Sequence, residues 1–215
     1  MIEYQGVLFD LDGTLMDTAP DFVATLNTLC DRYGLERLDP ELIRNNVSDG
    51  SRVLTKLCFP DLSDASAFEA KRQELLKIYE AEVGKAAVIF PEMVRVLAHL
   101  ESCDIPWGIV TNKPRLYTEL LLQRTKSFSS CGALVCADDL QKAKPDPEGI
   151  LKACKSLGVA PSQCLYVGDH ERDVIAGNLA GCVTVAVSFG YFDEHANPES
   201  WGADHLVSSA DFFLP

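Results

Sequence analysis

Short apolar runs, each followed directly by small, polar or acidic residues, recur along the chain. They fall at residues 6–9, 107–110, 133–136, 164–167 and 183–187. Continuous apolar runs of this length, without polar alternation, are typical of strands buried on both faces of a parallel sheet. The pattern therefore predicts five parallel strands whose carboxyl ends carry polar groups.

Apolar residues at helical spacing fill the intervals between these runs. Helices are predicted over residues 93–100 behind Pro91, over 117–122, from Pro147 onward, and from Asp173 onward. Strand and helix in alternation predict an α/β fold with a doubly wound parallel sheet. In such a sheet, ligands bind at the carboxyl ends of the strands, where the polar residues of this chain lie.

Residues 16–90 break this alternation, because their pattern predicts four helices and no strand. The helical stretches fall at 22–30, 41–47, 51–58 and 67–83. We therefore expect a core domain formed by residues 1–15 and 91–215, with a helical cap domain of residues 16–90 inserted after the first strand. The alternative is that these helices simply pack on the sheet.

The composition and net charge of the chain limit the partners and the cellular location that we expect. The chain has 215 residues, 47% hydrophobic and 24% charged, with a formal net charge of −13. This charge disfavours nucleic acid and anionic membranes as partners, and no apolar stretch reaches the roughly 18 residues of a membrane span. The eight cysteines include no C-x-x-C pair, so we expect reduced, packed thiols and a cytoplasmic location.

Carboxylates gather at the predicted strand ends. Asp10 and Asp12 follow the first strand, and Asp169 follows the fourth, with Asp173 four residues later. Acidic groups that converge at one edge of a sheet repel one another unless a cation lies between them. Oxygen ligands of this kind suit Mg²⁺, which keeps some of its waters and leaves room for a phosphate oxygen. The sequence therefore predicts a magnesium site.

Further groups at the same edge suit a phosphate. Thr111 offers a hydroxyl, Asn112 a backbone N–H and Lys144 a positive charge. Lys142 is the alternative source of this positive charge, but the Lys-Pro-x-Pro sequence that begins at residue 144 favours Lys144. Gly13 lets the backbone turn tightly after the first strand and exposes N–H groups to an anion. With a metal ion and a phosphate bound together, the charges of the clustered carboxylates would be balanced.

Four short motifs resemble those of the haloacid dehalogenase superfamily of phosphatases, in order and spacing, along nearly the whole chain. They are Asp10-Leu11-Asp12-Gly13-Thr14-Leu15, Thr111-Asn112, Lys144-Pro145-Asp146-Pro147 and Gly168-Asp169-x-x-x-Asp173. The inserted helical segment resembles the cap of that superfamily, and its phosphoglycolate-phosphatase-like members look most similar. The resemblance implies a phosphoric monoester hydrolase.

The resemblance also implies a role for each motif residue. Asp10 would attack phosphorus and form an aspartyl-phosphate, and Asp12 would act first as general acid and then as general base. Mg²⁺ would be held by the Asp10 carboxylate, the Asp12 backbone carbonyl and Asp169. Asp173 would orient either the waters of the metal or Lys144. The phosphoryl oxygens would be held by Thr111, Asn112 and Lys144.

The expected substrate is a small phosphomonoester selected by the cap. Residues 47–52 resemble the cap loop of the family and make Arg52 the candidate for substrate contact, against the alternative of a solvated surface charge. The tail from Phe189 to Asp204 resembles a branch that acts on N-acetylmuramic acid 6-phosphate. Phosphoglycolate and other sugar phosphates stay open, and the chain is expected to be a monomer or a homodimer.

Some neighbouring residues have two interpretations each. Thr14 either caps the local turn or supports a metal ligand. His170 either contacts substrate or water, or has no part in the chemistry. Asp138 and Asp139 either cap a helix at the surface or assist the metal site.

Three other functions use similar residues. A sugar phosphomutase of the β-phosphoglucomutase type shares all four motifs, and release of free phosphate separates it from a hydrolase. A dehalogenase needs neither metal nor a second acid two residues after its nucleophile, so Asp12 argues against it. A signalling receiver domain also accepts a phosphoryl group on aspartate, but it is shorter and lacks a cap.

Overall fold

A computed structural model of the chain describes residues 4–126, 128–191 and 196–214. The strands are β1 (Gly6–Phe9), β2 (Met16–Asp17), β3 (Val88–Ile89), β4 (Trp107–Val110), β5 (Ala133–Val135), β6 (Cys164–Gly168), β7 (Val183–Val187) and β8 (His205–Val207). The α-helices are α1 (Ala19–Tyr33), α2 (Pro40–Asn45), α3 (Gly50–Cys58), α4 (Ala65–Glu82), α5 (Pro91–Ser102), α6 (Arg115–Thr125), α7 (Glu148–Leu157) and α8 (Glu171–Ala180). Among these described residues, no helix has both the length and the apolar character needed to cross a membrane.

Six parallel strands form the main sheet in the order β5-β4-β1-β6-β7-β8. In the centre, Val7 of β1 pairs with Trp107 on one side and Leu165 on the other. This arrangement confirms the predicted α/β fold with a doubly wound parallel sheet. The sixth strand, β8, was not predicted, because three residues that begin with a histidine do not make a continuous apolar run.

Successive side chains of β1 enter two different cores, which explains its uninterrupted apolar sequence. Leu8 packs with Ile150 of α7 and Ala176 of α8 on one face of the sheet. Phe9 points to the other face, where its ring meets that of Phe213 edge to face with centroids 6.4 Å apart. Full burial of each such side chain contributes about 1.5–3 kcal/mol of transfer free energy. The sheet therefore has helices on both faces and presents its strand ends to ligands.

The first four helices form the helical insert, which we define as α1–α4 between β2 and β3. The predicted helices are present, with α1 beginning three residues earlier than the pattern indicated. The expectation of no strand in residues 16–90 was wrong. Met16 pairs with Ile89 and Asp17 with Val88 in a two-stranded antiparallel ribbon, too short to carry a periodic signal. This ribbon brings together the two connections of the helical insert, whose definition as a separate domain stays a prediction.

Aromatic rings and an arginine hold the helical insert against the sheet domain. Phe22 of α1 stacks on Tyr79 of α4 with centroids 4.2 Å apart, and Tyr79 lies 5.3 Å from the ring of Tyr117 on α6. Arg124, also on α6, donates to the carbonyl of Val83 at 2.6 Å, just after the end of α4. These contacts place the helical insert over the strand ends.

A buried carboxylate fixes the return of the chain from the helical insert. Asp21, in the first turn of α1, is 1% exposed. It accepts hydrogen bonds from the N–H groups of Gly84, Ala86 and Ala87 at 2.6, 2.8 and 3.2 Å. The loop between α4 and β3 thus satisfies its backbone donors on α1.

We expect Asp21→Ala to lower the free energy of unfolding by about 2–4 kcal/mol, because three backbone donors lose their acceptor. Asp31→Ala, which removes an exposed acid of α1 that pairs with Arg37, is the matched control and should have little effect. Urea denaturation curves measure both changes. Equal losses in the two variants would contradict this role for Asp21.

Candidate active site

The carboxyl ends of β4, β1 and β6 lie side by side, and a candidate residue follows each strand. Asp10 follows β1, Thr111 follows β4 and Asp169 follows β6. Because β1 pairs in parallel with both β4 and β6, the three residues emerge at the same edge of the sheet. The local sequence therefore delivers polar groups from three buried strands to one place.

Lys144 lies at this edge and contacts two of the carboxylates. Its Nζ is 2.9 Å from Oδ1 of Asp10 and 2.6 Å from Oδ1 of Asp173. It also donates to the hydroxyl of Tyr166 at 2.9 Å. The side chain of Lys144 is 1% exposed, whereas that of Lys142 is 76% exposed. Of the two candidate lysines, the structure brings Lys144 to the acids.

Asp10 is poorly solvated and only partly neutralised. Burial raises the pKa of Asp10 to about 6, and Lys144 opposes this rise without cancelling it. The N–H of Leu11 donates to Oδ1 at 2.7 Å, and Lys144 contacts the same oxygen. Among the described residues, these contacts leave Oδ2 of Asp10 for a metal ion or an electrophile.

Asp169 is fully buried and receives only neutral donors among the described residues. The hydroxyl of Thr14 donates to Oδ1 at 2.9 Å, and the N–H of Tyr191 donates to Oδ2 at 2.7 Å. Burial, followed by the charges of Asp10 and Asp173, raises the pKa of Asp169 well above its ordinary value. Of the two interpretations of Thr14, the structure favours support of Asp169.

Two glycines allow the backbone to approach Asp169 closely. A Cβ on Gly13 would lie 2.1 Å from Oδ2 of Asp169, and a Cβ on Gly190 would lie 2.1 Å from its Cβ. Gly13 also has φ of +78°, a conformation that favours glycine. Glycine is therefore required at both positions for Asp169 to lie beside the loop after β1.

The donor set at this edge fits a hard divalent cation. Single carboxylate oxygens of Asp10, Asp169 and Asp173 all lie within 4.8 Å of one another. Oxygen-only ligands of this charge suit Mg²⁺, which takes one or two carboxylates and keeps several waters. The residues present therefore fit the metal that the sequence predicts.

The contacts of Asp173 bear on whether it touches such a metal directly. Its Oδ1 receives Lys144 Nζ at 2.6 Å and the hydroxyl of Tyr166 at 3.2 Å. Its Oδ2 accepts the N–H of His170 at 3.1 Å. Because both oxygens already have donors, the geometry favours a positioning role toward Lys144.

Asp12 has a cationic partner that the sequence reasoning missed. Lys113 Nζ lies 2.7 Å from Oδ1 of Asp12, and the hydroxyl of Thr18 donates to the same oxygen. The Lys113 side chain is 5% exposed and lies 5.2 Å above the ring of Phe22. The one signal in the sequence is its position directly after Thr111 and Asn112, three residues beyond the end of β4.

Asn112 connects the lysine loop to the end of β4. Its side-chain amide donates to the Lys144 carbonyl at 3.0 Å and accepts the Lys144 N–H at 3.0 Å. The hydroxyl of Thr111 accepts the N–H of Lys113 at 3.1 Å. Both side chains thus order the backbone that carries the two buried lysines.

A cavity of about 190 Å³, which we call the main cavity, lies between these strand ends and the helical insert. Its sheet side includes Asp10, Asp12 and Thr111. Its insert side includes Arg72 and Tyr79. Chemistry on the sheet side therefore faces groups from the helical insert that can select a substrate.

Arg52, the predicted substrate contact, is absent from the residues that line the main cavity. Its side chain is exposed and lies 5.4 Å above the ring of Phe68 on the neighbouring helix α4. Residue 52 of α3 therefore points away from the strand ends, which favours the alternative of a solvated surface charge. Ser51, its neighbour, lines the main cavity.

Two other arginines line the main cavity. Arg72 of α4 pairs with Glu69 at 2.6 Å and donates to the hydroxyl of Ser51 at 3.1 Å. Arg172 of α8 lies 2.8 Å from Nε2 of His170. Burial and the charge of Arg172 lower the pKa of His170, which suits a neutral imidazole that accepts from the guanidinium. Two guanidinium groups therefore join Lys113 and Lys144 in the lining of the main cavity.

Asp138 and Asp139 follow β5 but do not join the acids at Asp10. Asp138 accepts the backbone N–H of Arg115 at 2.8 Å, at the start of α6. Asp139 pairs with the Arg115 guanidinium. The structure therefore favours helix capping for this pair over assistance to a metal.

Comparison with known proteins shows the family of this chain. The family model described as haloacid dehalogenase-like hydrolase matches residues 7–187. The chain belongs to this family. The N-acetylmuramic acid 6-phosphate phosphatase of Pseudomonas putida is 40% identical over 203 residues, which cover 94% of this chain and 91% of that protein. A phosphoglycolate phosphatase of Xanthomonas campestris pv. campestris is 43% identical over 203 residues, with coverage of 94% and 91%.

The fold of this haloacid dehalogenase-like hydrolase is also found in solved structures. The crystal structure of a predicted phosphoglycolate phosphatase from Haemophilus somnus 129PT matches with a TM-score of 0.85 and 23% identity, covering 99% of this chain and 97% of that one. At this identity the match shows the fold alone. Family membership and the phosphatase names of the relatives support assignment as a phosphoric monoester hydrolase.

We expect Mg²⁺ to raise the melting temperature of the metal-free hydrolase more at pH 7 than at pH 5. The raised pKa values of Asp10, about 6, and of Asp169 mean that the folded protein holds protons that the unfolded chain releases. The stability of the metal-free protein therefore falls as pH rises through this window, by about 1–3 kcal/mol for Asp10, and Mg²⁺ binds best where the carboxylates are ionised.

Thermal melts with EDTA or Mg²⁺ at the two pH values measure this difference. Asp169→Asn should abolish the response to Mg²⁺, and Asp138→Asn, at the same sheet edge, should retain it. A Mg²⁺ response that is equal at both pH values, or unchanged in Asp169→Asn, would contradict the proposed site.

Proposed function

We propose that this hydrolase is a Mg²⁺-dependent phosphatase that works through an aspartyl-phosphate. The observation that carries the proposal is a partly buried aspartate, Asp10, at the wall of the main cavity. Lys144 engages one of its oxygens, and no donor of the described residues engages the other. A carboxylate held in this way is a positioned nucleophile for phosphorus. Its partner Asp12 lines the same cavity.

Asp10 and Asp12 have different roles in the proposed reaction. Oδ2 of Asp10 forms a bond to phosphorus while the ester oxygen leaves and takes a proton from Asp12. Asp12, now a carboxylate beside Lys113, accepts a proton from a water whose oxygen attacks phosphorus, which frees phosphate and restores Asp10. Lys113 and Thr18 orient Asp12 through both steps.

The remaining motif residues stabilise charge. Thr111, Asn112 and Lys144 line the main cavity and are proposed to bind the phosphoryl oxygens. Asp10, Asp169 and the Asp12 backbone carbonyl would hold Mg²⁺, which supplies electrostatic stabilisation of the transferring group when bound. Asp173 would keep Lys144 in place, since it contacts that lysine at 2.6 Å.

The substrate that fits the main cavity is a phosphomonoester that also carries a carboxylate. Arg72 and Arg172 line the main cavity, and guanidinium groups bind carboxylates well. The substrates in the names of both relatives, N-acetylmuramic acid 6-phosphate and phosphoglycolate, share a carboxylate and a phosphomonoester. We therefore assign Arg72 and Arg172, rather than Arg52, to substrate selection.

The size of the site favours the larger of these substrates. A side cavity of about 370 Å³ adjoins the main cavity and shares Ser48 and His170 with its lining. Its other lining includes Asn197 and Trp201, from the tail that resembles the N-acetylmuramic acid 6-phosphate branch. A sugar ring has room there that phosphoglycolate does not need.

The eight free thiols support action in the reducing cytoplasm.

We expect Asp10→Asn to reduce kcat by at least about 1,000-fold, because an amide cannot form the phosphoenzyme. Released phosphate, measured with N-acetylmuramic acid 6-phosphate and Mg²⁺, is the readout, with circular dichroism to check folding and mass spectrometry to exclude deamidation. Asp146→Asn, in the same loop as Lys144, is a control that should retain most activity. More than a few per cent of activity in Asp10→Asn would contradict the nucleophile assignment. Conversion to an isomeric sugar phosphate without phosphate release would indicate a mutase.

We expect Arg72→Ala and Arg172→Ala to raise KM for carboxylate-bearing substrates by about 10- to 100-fold, because each removes a charged hydrogen-bond donor. Their effect on p-nitrophenyl phosphate, which lacks a carboxylate, should be within about threefold. Arg52→Ala, an exposed arginine of the same helical insert, should change neither. Equal losses on both substrates would remove the two arginines from substrate selection.

A further inference from the structure

Three cysteines from different elements meet at the end of the sheet opposite the candidate active site. Cys154 lies on α7, Cys164 begins β6 and Cys182 precedes β7. Their sulfur atoms all lie within 4.8 Å of one another. β6 separates this cluster from Asp169, since Cys164 begins the strand and Asp169 follows its last residue. The chemistry proposed above makes no use of these thiols.

The surroundings of this thiol cluster are apolar. The three side chains are 1%, 0% and 6% exposed and pack in the core that includes Ile150 and Val159. Cys164 donates to the carbonyl of Leu165 at 3.4 Å. Hydrogen bonds among the three thiols lower the pKa of Cys154, which accepts them, and raise the pKa of Cys164, which donates. Cys154 is thus the first of the three thiols to lose its proton.

We infer that Cys154, Cys164 and Cys182 form a binding site for one soft, thiophilic divalent cation in three-sulfur coordination. Thiolates select soft metals over hard ones, which separates this site from the oxygen ligands at Asp10. With metal–sulfur bonds of about 2.3 Å, three sulfurs in a trigonal arrangement lie about 4 Å apart. The observed cluster reaches this geometry by small side-chain movements.

Charge and burial define the class of cation. Three thiols lose three protons as three metal–sulfur bonds form, without any change of oxidation state. A divalent ion leaves one net negative charge on the site, whereas a monovalent ion leaves two, which is costly in an apolar core. Cys182, the most exposed of the three, follows the left-handed Gly181 at the end of α8 and provides the route of entry.

Cadmium is the probe for this site. Reduced protein is titrated with Cd²⁺ under anaerobic conditions, in excess Mg²⁺ so that the carboxylates are occupied. We expect one Cd²⁺ per chain with sulfur-to-cadmium charge-transfer absorption, three protons released per ion, and a first shell of three sulfurs by X-ray absorption. Cys182→Ala should weaken binding at least about tenfold. The double variant Cys30→Ala, Cys58→Ala removes the other close thiol pair, 3.6 Å apart, and should leave binding unchanged.

Three results would overturn the inference. They are absence of the charge-transfer band, a band that persists in Cys182→Ala but disappears in the double variant, and a first shell with fewer than three sulfurs. The first-shell measurement uses the unsubstituted protein, so it decides the question even if Cys182→Ala does not fold. Phosphatase activity is not a readout of this test, so its outcome is independent of the proposed function.

Discussion

Charge balance at the ends of β4, β1 and β6 is the constraint on which the candidate active site depends. Four carboxylates lie within a small region there, and two lysines neutralise part of their charge. Lys144 contacts Asp10 and Asp173, and Lys113 contacts Asp12. Asp169 is left with neutral donors, so the region is negative before any phosphate dianion enters. The divalent cation proposed to lie beside Asp10 and Asp169 would correct this excess and would allow an anionic substrate to bind.

The fold keeps these acids together in spite of their repulsion. Gly13 and Gly190 allow close backbone approach to Asp169. Tyr191 donates its N–H to Asp169, and its hydroxyl accepts the N–H of Thr18 at 2.6 Å, at the start of the helical insert. Through Tyr191, the acid proposed to bind metal is connected to the segment over the main cavity.

The sequence predicted the sheet and its acids well because burial on both faces leaves a strong pattern and because strand ends collect polar groups. Lys144 followed from its proline setting. Lys113 was missed since one more lysine after Asn112 has no periodic signature, and its contact with Asp12 depends on how two strands pair. The exposed position of Arg52 and the entry of Arg72 into the main cavity depend on how α3 and α4 rotate, which local pattern does not determine.

The most direct test of the central claim is a crystal structure with Mg²⁺ and beryllium trifluoride, a mimic of the phosphoryl group. Charge balance predicts an ion coordinated by Asp10 and Asp169, with the mimic on Oδ2 of Asp10 and its fluorines near Thr111 and Lys144. If the two carboxylates held no ion between them while the mimic was bound, the claim that a cation balances these acids would be contradicted.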